Sequence, residues 1–239
     1  MKKLTLSGLF VSFVAIALLL GGCADSYQAR NVDLKNSDTL LVNPDVFEKG
    51  AGDQALYRYN NPKADIKKYA KVIIDPVIIF KKGDLDPRAR ENYQTLANNA
   101  FVYLTEELKK NYQIVKAPEP GTMRVQFALI DAESTSPVRN FIGSVDPIGV
   151  GLSLVKFGAT GEQMGAGSIT GEIKITDAQT DELLGAALDR RVGGRNLKGT
   201  FLLWANANAG LEYWAQRLGY VLCVQRGDKN CNEPDSWQR

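Results

Sequence analysis

The sequence predicts an α+β domain: a mixed, mostly antiparallel sheet packed by two amphipathic helices, in the order β-α-β-β-loop-β-β-α. Three observations carry that prediction. Two stretches, 87–110 and 200–222, repeat apolar residues at helical spacing. One run, 71–80, is β-branched on both parities, which suits a strand covered on both faces. Two alternating stretches, 168–177 and 183–192, flank a short polar link and read as a hairpin.

Ahead of the domain, Lys2 and Lys3 precede an apolar run from Leu9 to Leu20, which ends in Leu20-Gly21-Gly22-Cys23. That layout reads as a bacterial lipoprotein signal peptide over residues 1–22. Gly21 and Gly22 supply the small residues a signal peptidase needs, and the Cys23 thiol takes the lipid, palmitate among its acyl chains. An uncleaved membrane span would need about 20 apolar residues, more than this run provides. In Gram-negative lipoproteins, an Asp second in the mature chain favours inner-membrane retention. Here Ala24 holds that place, so the resemblance implies the periplasmic face of the outer membrane, with Asp25 next door pointing to the inner membrane as the alternative.

The chain carries 29 basic and 27 acidic residues, and setting aside Lys2 and Lys3 leaves 27 of each. Such a balance argues against nucleic acid as a partner. Histidine is absent, which removes Ser/His/Asp and Cys/His nucleophile systems, His-ligated zinc and the commonest general base. The expectation is therefore a non-enzymatic protein without cofactor or metal.

In chain order, residues 23–55 read as the lipidated cysteine and a flexible tether, polar and broken by Asn43-Pro44 and Gly50-Ala51-Gly52, with a reach of roughly 25 to 30 Å. Residues 56–239 form a single domain, opening where Tyr57 and Tyr59 introduce aromatics. In the strand at 71–80, Pro76 lacks a ladder donor and marks a bulge or an exposed edge. Asp86-Pro87 starts a helix, since Asp accepts from orphan amides and Pro fits the first helical position. Its inward face is Tyr93, Leu96, Ala97, Ala100, Phe101, Leu104 and Leu108. Residues 112–115 and 123–131 are the next strands, the second with Val125, Phe127 and Leu129 on one face.

Residues 138–167 are apolar but punctuated by glycine, and neither a long helix nor a regular strand tolerates that. Two readings stand: a connection packed on the sheet, or an exposed flap that meets membrane or partner. The hairpin follows, and the second helix closes the domain with Trp204, Ala207, Leu211, Trp214, Ala215, Leu218 and Leu222 inward.

Lys71-Val72-Ile73-Ile74-Asp75-Pro76-Val77, then Asp177-Ala178-Gln179-Thr180-Asp181-Glu182-Leu183-Leu184, then Asp189-Arg190-Arg191, then Trp214-Ala215-Gln216-Arg217-Leu218 occur in that order behind the signal. Together they resemble the bacterial lipoproteins of domain-of-unknown-function family 3313, over about residues 55–222. Asp181 stands where that family carries glycine in the hairpin turn. The resemblance implies a fold and an anchor but no activity.

Few patterns suggest chemistry. Ser153-Leu154-Val155-Lys156 fits Ser-x-x-Lys but lacks the Ser-Asp-Asn and Lys-Thr-Gly companions of penicillin-recognising enzymes. Asp131 and Glu133 share a strand face and read as a cation site or a solvated strand end. Asp84-Leu85-Asp86 lacks the later residues of a calcium loop, and Gly158-Ala159-Thr160-Gly161 those of a phosphate loop. Asp189-Arg190-Arg191 is either an anion or partner contact through guanidinium forks, or an ion pair within the sheet surface.

The leading expectation is a lipid-anchored module that binds an envelope protein or copies of itself. A lipid or small-ligand carrier with an apolar cavity roofed by 138–167 is the alternative, and a carboxylate or metal-dependent hydrolase a further one. With Cys23 lipidated, Cys223 and Cys231 remain, eight positions apart on either side of Gly227-Asp228, and in an oxidising compartment they form a disulfide.

Overall fold

A computed structural model describes residues 26–29, 32, 40–80, 85–133, 167–193 and 204–235. The strands are β1 (Ser26–Gln28), β2 (Glu48–Lys49), β3 (Tyr57–Asn60), β4 (Lys71–Ile74), β5 (Ile78–Ile79), β6 (Gln113–Ile114), β7 (Thr122–Glu133), β8 (Ser168–Asp177) and β9 (Leu183–Gly193). Two long helices, α1 (Pro87–Leu108) and α2 (Ala205–Arg226), complete it. All nine strands join one sheet in the order β2-β3-β9-β8-β7-β4-β6, with β1 also on β9 and β5 also on β7. The β7-β8-β9 meander is antiparallel, whereas β4 and β5 run parallel to β7 and β6 parallel to β4. The predicted α+β class, a mixed and mostly antiparallel sheet with two helices, is the class observed.

The alternation of apolar residues sends one face of the meander towards the helices. Val125, Phe127 and Leu129 of β7 lie opposite Ile175, Ile173 and Gly171 of β8. α1 and α2 lie side by side in parallel. Asn99, just past the middle of α1, donates to Asn208 in the first turn of α2 at 2.8 Å, and, further along both, a Cβ on Gly219 would stand 2.7 Å from Glu107 Oε1. Only glycine lets the helices approach that closely. α1 starts as its sequence dictates, with the Asp86 carboxylate accepting from the Ala89 amide at 3.0 Å and Pro87 in the first turn. Its buried residues are Tyr93, Leu96, Ala97, Ala100, Leu104 and Leu108. Phe101, expected inward, is 38% exposed, because it falls at the edge of the α1 stripe.

The run 71–80 is two short strands, β4 and β5, with Pro76 between them, and both add in parallel to the same side of β7. The hairpin link carries Asp181 at φ 58°, in the left-handed region that glycine adopts at least cost. The Asp177 carboxylate braces the turn by accepting from the Gln179 and Thr180 amides at 2.9 and 3.0 Å, and from the Tyr69 hydroxyl at 2.9 Å.

The tether expected over 23–55 is corrected wherever the structure describes it. β1 pairs with β9 through Ser26↔Gly193, Tyr27↔Val192 and Gln28↔Arg191. β2 pairs with β3, which pairs with β9. The segment is polar in composition, but its backbone groups complete the open edge of β9, a use that no hydrophobic period reveals. Residues 1–22 and Cys23, Ser153 to Lys156, Gly158 to Gly161, and all of 138–167 except Gly167 lie outside the described residues.

Candidate functional site

Small residues pave the helix side of the sheet beneath α2. Gly171 on β8 faces Asp189 on β9, while Gly185 and Ala187 face Ile175 and Ile173. With so little side chain there, α2 does not sit flush on β8 and β9. A cleft of about 330 Å³ remains between them, within the range of small-molecule sites. Its depth is apolar, formed by Ile66 and Leu104 with Phe127, Ile173, Leu211 and Leu218. Its mouth lies between β3 and α2, where Arg58, Asn60, Arg217, Tyr220 and Gln225 are placed.

Polar contacts stand at both ends of that mouth. At one end the Trp214 indole donates to Asp189 Oδ2 at 2.8 Å, while Asp189 Oδ1 accepts from Gln28 Nε2 at 2.7 Å and from the Leu56 amide at 3.2 Å. Burial pushes the Asp189 carboxyl above its usual range, against the pull of those donors and of the Arg191 charge. Three N–H groups hold this carboxylate in place and occupy both of its oxygens. At the other end the side-chain amides of Gln225 and Asn60 lie 3.3 Å apart, and in the orientation that satisfies its neighbours the Asn60 amide donates to the Tyr59 carbonyl and accepts from the Arg58 guanidinium.

Asp189-Arg190-Arg191 does not make one cluster, since strand alternation divides it. Asp189 and Arg191 point to the helices and are 5% and 2% exposed. The Arg191 guanidinium stacks 3.6 Å from the centre of the Tyr213 ring, and burial lowers its pKa while Asp189 raises it. Arg190 points to the opposite face and donates to Thr170 Oγ1 at 3.0 Å and Ser168 Oγ at 2.9 Å. The surface fork that would meet an anion or partner is thus not formed by Arg191, which is a buried structural cation.

On that opposite face, Glu172 is wholly buried. Its carboxylate accepts from the amides of Leu41 at 2.6 Å and Val42 at 3.1 Å. Burial pushes it up to about 7, although both amides and Lys174 pull the other way. Of the suspected cation pair, Asp131 lies 3.2 Å from the Tyr93 hydroxyl at the β7 bulge, and the Glu133 side chain is outside the described residues. Among the described residues, no group of three or more His, Cys, Asp or Glu is placed to hold a metal. The Cys223 and Cys231 sulfurs stand at disulfide distance, 2.08 Å, with Cα atoms 5.7 Å apart.

The sequence alone suggested an apolar cavity only beneath 138–167, and it missed both the cleft under α2 and Glu172. The cleft had a signal, namely Gly185 and Ala187 on alternate positions of one strand and Gly171 on its partner. Glu172 had none, because Glu-x-Lys in an alternating strand reads as a solvated face.

Fold and site define a two-layer α+β domain with an apolar cleft between its sheet and one helix. Residues 36–218 match the family described as "Protein of unknown function (DUF3313)", and the chain belongs to that family. No curated protein matches. Among solved structures it is similar to the PelC dodecamer from Paraburkholderia phytofirmans, at 9% identity and a TM-score of 0.40, over 72% of this chain and 96% of that one. A hypothetical protein from Chlamydia trachomatis gives 10% identity and 0.38, over 65% and 99%. A DUF4136 family protein from Bacteroides thetaiotaomicron gives 12% and 0.34, over 66% and 92%.

Proposed function

We propose that this protein is a lipid-anchored lipoprotein of the cell envelope whose domain acts by binding a small apolar ligand, without catalysis. The observation that carries the reading is the cleft under α2. Its floor lacks side chains where a well-packed core would have them, its depth is aliphatic and aromatic, and its polar groups gather at the mouth. That distribution suits a guest that sheds water from one end and keeps it at the other.

The sequence alone put protein binding first. The cleft moves the weight to a small ligand, since a concavity of about 330 Å³ encloses a molecule better than it receives a protein surface. The anchor rests on Leu20-Gly21-Gly22-Cys23, and the proposed location is the periplasmic face of the outer membrane.

The test uses the secreted domain with the neutral fluorophore N-phenylnaphthylamine. Saturable one-to-one enhancement is expected, and Gly185→Leu should abolish it. Gly185 has no positive φ and a Cβ there meets no atom closer than 3.4 Å, so the added side chain enters the cleft without straining the backbone. Equal enhancement in both proteins, at equal melting temperature, would place the probe elsewhere and defeat the reading. For the anchor, Cys23→Ser in cells should leave a chain that keeps its signal segment and lacks lipid. Lipid on that variant would refute it.

A further inference from the structure

The two ends of the cleft mouth fix what stands between them. At one end Asp189 holds both Leu56 and Trp214, and at the other Asn60 meets Gln225. Arg58 lies between Leu56 and Asn60 on β3, with its side chain on the cleft side opposite Ala187. Arg217 lies between Trp214 and Gln225 on α2 and lines the same cleft. The arginines therefore face one another from the two lips of a mouth that helix and strand rises make roughly 13 to 16 Å long.

Each guanidinium has an acid on its outer side. Arg58 lies 3.6 Å from Glu48 and Arg217 lies 2.6 Å from Glu233, and these acids are the more exposed partners, at 69% and 50%. The acids are screened by water, and even with the Asn60 amide oxygen also accepting from Arg58, these partners use only some of the five N–H donors a guanidinium carries. The acid in the described lining is Asp189, and its three N–H partners tie it to the closed end. Positive charge thus rims a cavity whose depth is apolar.

Resting on the cleft as a binding site, we propose that its ligand is a single-chain amphiphile with an anionic head. The head takes donors from Arg58 and Arg217, and the chain lies along the small-residue floor at Gly185 and Ala187 towards Leu104 and Leu211. A neutral chain would gain the burial but add no charged partner for the arginines beyond Glu48 and Glu233. A cationic head would oppose them.

Displacement of N-phenylnaphthylamine by laurate, dodecanol and dodecyltrimethylammonium, each below its micelle threshold, separates these cases. Laurate should bind about 10-fold more tightly than dodecanol, as expected where charged hydrogen bonds are added to the same chain, and the cation should bind weakest. Arg58→Gln and Arg217→Gln should each narrow the gap, and the double variant should bring laurate level with dodecanol without a loss of dodecanol affinity. Equal binding of laurate and dodecanol by the unaltered protein overturns the anionic head and leaves the cleft standing. A gap that survives in a folded double variant also overturns it, because the anion then sits elsewhere. Failure of all three to displace the probe, or of the probe to bind, overturns the binding site itself.

Discussion

Glu172 is a carboxylate held against its preference for water, and the two amides of Leu41 and Val42 are its compensation. Its folded-state pKa of about 7 lies above the ordinary value of 4.5, so the folded chain holds this proton more tightly than the unfolded chain does. Protons therefore favour folding through Glu172. The gain begins as pH falls through 7, grows down to 4.5, and is complete below that. Urea midpoints measured from about pH 8 to pH 6 should rise on acidification in the parent, and the rise should be smaller in Glu172→Gln. Equal rises in the two proteins would assign the dependence to other groups. No inspection of residues 168–177 could have revealed this position, for what buries Glu172 includes backbone that lies 130 residues earlier. Asp189 was legible as charged and notable. Its partition from Arg190 followed from strand alternation, but its depth depended on Gln28 and Trp214, which the sequence does not place beside it.

The elements that announced themselves are those whose own residues suffice to define them. α1 has a capping Asp, a first-turn Pro and a full apolar stripe, and the β8-β9 hairpin has alternation with a polar turn. Leu96, 1% exposed in the hydrophobic core, should cost about 2 to 5 kcal/mol on replacement by Ala, read by chemical denaturation. A change within error would mean that α1 does not pack on this face. β1, β2 and β3 escaped notice because two to four residues are too few to show a period, and their role is to complete an edge. The end of α2 makes its own prediction. Cys231 lies eight positions beyond Cys223, and closing that loop should stabilise by about 2.5 kcal/mol in the chain-entropy picture. Reduction should lower the denaturation midpoint accordingly, and Cys231→Ser should be indifferent to reductant.

For the whole molecule, the N-terminal segment decides what counts as the domain. A tether would be dispensable to folding. In this structure, removing residues 23–39 strips β1 from β9 and the Gln28 donor from Asp189, leaving a buried acceptor short of a partner. A protein beginning at Leu40 should therefore melt at a lower temperature than one beginning at Ala24, by an amount scanning calorimetry resolves, since an unmet buried group costs about 1 to 3 kcal/mol. Equal melting temperatures would restore the tether.

The pairing of Ser26 with Gly193 also has a bearing on where such a molecule can search. With acyl chains on Cys23, as proposed, the leash to the first paired residue is three peptide steps, at most about 11 Å fully extended. A protein on a long leash roams a hemisphere above the bilayer, whose volume grows as the cube of its reach. This one would graze the headgroup layer instead, with β9 as its nearest stiff beam and its orientation restricted by the sheet. Any guest that partitions into the outer-membrane leaflet would then meet the domain at a high local concentration without leaving the membrane surface, so weak intrinsic affinity would be enough.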